Sequence, residues 1–135
     1  MKYTRIKKQW LGLLANVYRL DQDKEVQTRM FRYFVQEDDF SRGYYRLNRN
    51  GLLLIKKGFV WDGPSGPTYD SPDSMRASLV HDVFYDMIRK GRLPKGARKL
   101  ADQELRRIAI ADGMWHWRAN FWYQMLRHFG AGSAR

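Results

Sequence analysis

The stretch Ser71-Pro72-Asp73-Ser74-Met75-Arg76-Ala77-Ser78-Leu79-Val80-His81-Asp82-Val83-Phe84-Tyr85-Asp86-Met87-Ile88-Arg89-Lys90 decides how this chain is read. Ser71 is suited to capping a helix, and Pro72 to its first turn, where no backbone donor is needed. Met75, Leu79, Val80, Val83, Phe84, Met87 and Ile88 then recur at helical spacing, which predicts a helix over about 72–90. Gly91 and Pro94 end it. A second helix is predicted over about 96–112, with Leu100, Leu105, Ile108 and Ala109 inward, stopping at Gly113. A third, rich in aromatic residues, covers about 114–129 and closes at Gly130. The tail Ala131–Arg135 reads as loose.

Upstream of the first helix the texture is different. Residues 58–71 carry Gly58, Gly63, Pro64, Gly66 and Pro67 and read as a stiff, irregular loop. Residues 1–57 read mainly as β-structure. Val17-Tyr18-Arg19-Leu20 alternates, and Val26 to Val35 is a longer run of β-branched and aromatic residues. Tyr44-Tyr45-Arg46-Leu47 and Leu52-Leu53-Leu54-Ile55 flank Asn48-Arg49-Asn50-Gly51, a strong hairpin signal over 44–56. The expected fold class is α+β: N-terminal antiparallel β-hairpins followed by three helices, in a single domain of 135 residues.

Composition limits the chemistry. The chain has no cysteine, which removes disulfides and thiolate metal sites. Aromatic residues make up 15% of it, so large rings should dominate the core. Trp115, Trp117, Phe121, Trp122 and Phe129 are read as core rather than as a stacking platform for bases, with a membrane-contacting edge as a further alternative. The longest apolar stretch near the N-terminus, Trp10 to Ala15, is too short for a secretory or membrane-spanning segment. The expectation is a soluble protein kept in a cytoplasm or packaged from one. Twenty-five Lys and Arg against 14 Asp and Glu give a net charge of +11, which favours nucleic acid, an anionic membrane surface or an acidic protein as partner without choosing among them.

The first helix also carries reactive groups. His81 and Tyr85 lie one turn apart on one face, and Asp82 projects about a quarter-turn away, toward the Gly/Pro loop. Backbone carbonyls turned inward by that loop, with the Asp82 carboxylate, are oxygen donors of the kind calcium takes. Asp102 borders the buried stripe of the second helix, where an antiparallel neighbour brings it to His81. A buried carboxylate on one imidazole nitrogen fixes the tautomer and leaves the other nitrogen to take a proton from water.

This pattern resembles the catalytic core of the phospholipase A2 superfamily, and within it the phospholipase domain of parvovirus capsid proteins. His81-Asp82-x-x-Tyr85-Asp86, Gly91, Pro94 and Ala101-Asp102 follow that order and nearly that spacing, over roughly residues 61–130. The resemblance implies that His81 activates water, Asp102 orients His81 and Tyr85 joins them. It also implies calcium held by Asp82 with the loop residues Trp61, Asp62, Gly63 and Ser65. The loop departs from the superfamily pattern at Asp62, Pro64 and Ser65. A second resemblance covers the whole chain. Gly58-Phe59-x-x-Asp62-Gly63-x-Ser65-x-Pro67, His81-Asp82 and Leu126-Arg127-x-Phe129-Gly130 are similar to a phage-encoded family known only as a domain of unknown function, in which Asp62 and Ser65 recur with the His-Asp pair. It implies a phage origin and no particular activity.

Three functions follow as expectations. The first is calcium-dependent hydrolysis of phospholipid esters at an anionic surface, in the host cytoplasm or the phage virion. The second is a non-catalytic virion or tail-associated component bound to other phage proteins. The third is nucleic-acid binding through the positive charge. Plainer roles compete at single positions: Asp102 as an early-helix carboxylate favoured by the helix dipole, Tyr85 as a core tyrosine, and Asp62-Gly63 with Ser65 as a hydrogen-bonded turn. His116 and His128 carry no assigned role.

Overall fold

The computed structural model describes residues 1–10, 13–31, 43–62 and 71–134. Two small antiparallel sheets precede three helices, as the α+β reading expects. The first sheet has the order β1 (Tyr3–Trp10), β2 (Leu13–Leu20), β6 (Val60–Trp61). The second has the order β3 (Lys24–Gln27), β5 (Leu52–Ile55), β4 (Tyr45–Leu47). Helices α1 (Pro72–Arg89), α2 (Ala97–Ala111) and α3 (His116–Phe129) follow, and a 3₁₀ turn covers Gly130–Ala134.

The β4–β5 hairpin forms with Leu47 opposite Leu53 and Tyr45 opposite Ile55. The Asn48 N–H donates to the Leu52 carbonyl at 3.0 Å, leaving a short loop with Gly51 in the left-handed region at φ 84°. Gly51 is required there twice over, because a Cβ would also sit 2.3 Å from the Thr28 carbonyl. Leu47, Leu53 and Ile55 are buried on one side of this sheet, the alternation a half-covered sheet demands.

Two expectations in this half need correction. The strand expected over Val26–Val35 ends at Gln27. Thr28 is buried and turns its hydroxyl to the Gly51 carbonyl at 2.6 Å, while the Met30 N–H donates to the same hydroxyl at 3.2 Å. A side chain that captures neighbouring backbone groups in this way competes with the sheet ladder. Residues 32–35 of that run lie outside the described residues. The Val17–Leu20 strand proves longer, and pairs from Tyr3 opposite Leu20 to Trp10 opposite Leu13 with a strand the sequence did not signal.

The helical half sits against both sheets through one apolar cluster that includes Leu20, Tyr45, Leu53, Phe59, Met75, Leu79, Phe84, Leu105, Ile108 and Trp122. Helix α1 starts where Ser71 and Pro72 place it, with the Ser71 N–H donating to the Ser74 hydroxyl at 3.1 Å. It is buried along most of its length. Helices α1 and α2 run antiparallel: Arg76 meets Asp112 at 2.8 and 3.0 Å near one end, and His81 meets Asp102 further along. Trp61 seats β6 against α1, its indole N–H donating to the Ser78 hydroxyl at 3.1 Å.

Glu104 ties α2 to the second sheet. Only 2% exposed, it accepts the Arg29 backbone N–H at 3.1 Å and the Arg107 guanidinium at 2.7 Å, and Arg107 continues to the Gln27 carbonyl at 3.2 Å. Glu104→Ala leaves a backbone donor and a guanidinium without their acceptor. The expected loss is about 2–3 kcal/mol, measured as a lower urea midpoint with an unchanged slope.

The C-terminal end differs from expectation twice. Gly130–Ala134 is not loose: it forms the 3₁₀ turn, Ala134 is buried, and the Ser133 carbonyl accepts from Arg89 at 2.6 Å. Of the five rings in and just before α3 read as core, only Trp122 is buried; Trp115, Trp117, Phe121 and Phe129 are exposed. The helix is too rich in rings for one inward face, so Ala119, Trp122 and Leu126 fill that face and the others stand in solvent.

Candidate functional site

Helix α1 presents His81 and Tyr85 from one face, and α2 presents Asp102 opposite them. Nε2 of His81 lies 2.7 Å from Oδ1 of Asp102. The Tyr85 hydroxyl donates to the same oxygen at 2.5 Å, and its ring is stacked obliquely on the imidazole at 4.0 Å between centroids. His81 is 5% exposed and Asp102 is fully buried.

The other oxygen of Asp102 belongs to arginines. Arg127, on α3, donates to Oδ2 at 2.7 Å, and Arg98, one turn before Asp102 on α2, is 3.6 Å from it. Arg98 also reaches the Leu126 carbonyl at 3.0 Å, near the C-terminus of α3. Burial by itself raises the Asp102 carboxyl, but the bonds from His81, Tyr85 and Arg127 outweigh it and hold the group below the usual carboxylate range. Asp102 is therefore an anion that can only accept. It follows that Nε2 of His81 carries the proton, and Nδ1 is left as the basic nitrogen. The Tyr85 hydroxyl is pushed upward by burial and by Asp102, so it stays a neutral donor.

The network relies on a close approach at the end of α3. A Cβ on Gly130 would lie 2.8 Å from the Tyr85 hydroxyl and 3.3 Å from Arg98 Nη1. A glycine lets the chain cross here without displacing either group.

His81 and Tyr85 line a cleft of about 340 Å³, with Asp62, Asp82, Arg89 and Ser133 among its other polar walls. Trp122, Met125, Leu126 and Phe129 of α3 make the apolar side. Asp82 accepts the Asp62 backbone N–H at 3.3 Å. Burial pushes the Asp82 carboxyl up to about 7; the Asp62 N–H opposes this and the Asp62 charge adds to it. A carboxyl raised on folding costs nothing below its ordinary value of 3.8, and its cost grows as pH rises toward 7. With chelator present, Asp82→Asn should raise the melting temperature at pH 8 and leave it nearly unchanged at pH 4. Equal effects at both values would show that ionisation of Asp82 is not what the substitution relieves.

The residues named from the sequence divide as follows. His81, Tyr85 and Asp102 come together, and Asp62 and Asp82 stand beside them in the same cleft. The Trp61 side chain is turned into the core, packed on Tyr18 at 5.6 Å and bonded to Ser78. Gly63 and Ser65 lie outside the described residues. As donors for calcium, Asp62 and Asp82 fit in kind, being hard carboxylates, but calcium takes six to eight oxygens. Among the described residues no three His, Asp or Glu side chains gather into a metal cluster.

Sequence reasoning missed Arg98 and Arg127 as partners of Asp102, and the α3 wall of the cleft. Arg98 carried a signal, the i,i+4 spacing to Asp102; Arg127 stood in the Leu126-Arg127-x-Phe129-Gly130 motif, but nothing in the sequence tied it to Asp102, 25 residues away. Compared with protein-family models, curated proteins and solved structures, the chain finds no match in any of the three. The likenesses drawn above rest on the motif residues alone.

Proposed function

We propose that this is a phage protein whose cleft hydrolyses an ester bond of a phospholipid, in the manner of a phospholipase A2-like His/Asp centre. The observation that carries the reading is the 2.7 Å bond from His81 to a fully buried Asp102, at the wall of a cleft with one polar and one apolar side. Nδ1 takes a proton from water as the oxygen attacks the ester carbonyl, and Asp102 steadies the imidazolium that forms. The tetrahedral adduct collapses, the carbon–oxygen bond to the glycerol breaks, and the imidazolium returns its proton to the departing alkoxide. Met125, Leu126 and Phe129 provide apolar surface for an acyl chain. Calcium, held by Asp82 and Asp62 together with the 61–65 loop, would supply charge stabilisation for the oxyanion. The phage origin is supported by the Asp62/Ser65 and His81-Asp82 motif order.

The test is release of fatty acid from anionic phospholipid vesicles, with calcium and with chelator. Hydrolysis lost in chelator and in His81→Ala supports the reading; an inactive wild type across lipids and metals ends it.

A second reading is favoured by the arginines. Asp102 is neutralised by Arg98 and Arg127 and knits α1, α2 and α3 into one network, the arrangement of a structural module in a virion or tail. A carboxylate shared with two guanidinium groups lends less basicity to an imidazole than an unshared one. On this reading His81→Ala leaves phage infectivity intact.

A further inference from the structure

The aromatic residues that α3 leaves in solvent are not scattered. Trp117, Phe121, Met125 and Phe129 follow one another at intervals of four, so they form a single ridge that winds slowly around the helix. Trp117 is 65% exposed, Phe121 49% and Phe129 74%. Trp115, 70% exposed, extends the ridge at its start, its ring 6.2 Å from that of Trp117. At the other end Met125 and Phe129 are walls of the cleft. The ridge therefore runs from open solvent, through the half-buried Met125, to the mouth of the candidate site.

Large rings in water are costly unless something covers them. The charge around this ridge narrows what that is. Residues 113–135 contain no Asp or Glu, and the whole chain carries +11. Arg106 of α2 lies alongside, hydrogen-bonded to Asn120 on the exposed side of α3. A second copy of the chain would bring two strongly positive bodies together face to face, against their mutual repulsion. A nucleic acid lying along this ridge would need cations on the same helix to follow its phosphates. The two arginines of α3 are committed elsewhere, Arg118 to Ser71 and Asp73 and Arg127 to Asp102, and Arg98 beside them holds the end of α3. An anionic bilayer needs neither a matching face nor directed contacts. Its headgroup region takes indole and phenyl rings, and its surface potential attracts the net positive charge from a distance.

We infer that the Trp115–Trp117–Phe121 end of α3 is a docking surface for an anionic lipid bilayer, which seats the cleft over the membrane. Its connection to the cleft rests on the lipid-ester reading; the contact with the bilayer does not.

The experiment is vesicle flotation with the intact protein in chelator, so that binding is scored without hydrolysis. Vesicles of phosphatidylcholine alone are compared with vesicles containing increasing phosphatidylglycerol, and tryptophan emission is recorded in parallel. The expected result is binding that rises with the anionic fraction, weakens with salt, and shifts the emission to the blue. At about tenfold per ring, Trp117→Ser with Phe121→Ser should weaken binding on the order of a hundredfold while the melting temperature holds. His81→Ala should bind as the wild type does. Binding that persists in an enzyme with no measurable hydrolysis keeps the docking surface and removes the lipid-ester reading. No vesicle binding at low salt overturns the inference, as does vesicle binding indifferent to the double substitution. Ridge-dependent binding of DNA or RNA in place of vesicles, or ridge-dependent dimerisation in their absence, overturns it too.

Discussion

Asp102→Asn should lower the melting temperature by roughly 10–20 °C, corresponding to a loss of about 3–5 kcal/mol. Among the described residues every polar partner of this carboxylate is a donor: His81 and Tyr85 on Oδ1, Arg127 on Oδ2, and Arg98 close to it. An asparagine keeps one acceptor oxygen and sets an NH₂ group against donors on the other side. It also removes the carboxylate that both guanidinium groups share inside the helical layer, and a charge left without its partner in a buried setting costs more than the pair was worth. The pH dependence gives a second check. Because folding holds the Asp102 carboxyl below its ordinary value, the stability it contributes is fully present above the unfolded value near 4 and is lost as pH falls through the folded one. The gap between wild type and variant should therefore be widest at neutral pH and close in acid. A gap that is constant from pH 7 down to pH 2 would mean that the carboxylate's charge is not what stabilises the network.

The part of the fold visible in the sequence is the part set by local rules. The α1 boundaries follow from a serine, a proline and a 3.6-residue period, and the β4–β5 hairpin from an Asn-Gly pair that puts glycine where φ must be positive. Strand β1 was hidden because its residues, Tyr3 to Trp10, mix lysine, arginine and apolar groups with little alternation; its partner β2 specifies it through pairing, which no single window records. The α3 rings show the converse failure. Hydrophobicity says that a ring prefers burial, but the inward face had room for Ala119, Trp122 and Leu126 only, and which rings lose is decided by packing against α2. At the site, His81, Tyr85 and Asp102 could be grouped because each pair obeys a helical spacing or an antiparallel neighbour rule. Arg127 could not, since it arrives from a third helix whose orientation depends on the close crossing at Gly130.

His81→Gln separates the hydrolytic reading from the structural one. A glutamine amide can still donate to Asp102 where the Nε2 proton does now, so the buried carboxylate keeps all its donors and stability should change by no more than about 1–2 kcal/mol. What the amide cannot do is accept a proton at neutral pH. If His81 is the general base, vesicle hydrolysis should fall by about 10²–10⁴-fold, with melting and vesicle binding close to wild type. Asp102→Asn would differ in kind, losing stability and activity together, because it disturbs the imidazole and the helix junction at once. Hydrolysis that survives His81→Gln would place the base elsewhere in the cleft, where Asp82 and Asp62 are the remaining carboxylates among the described residues. The two readings thus part on a substitution that leaves the network standing: one expects a folded and inactive protein, and the other expects no activity to lose.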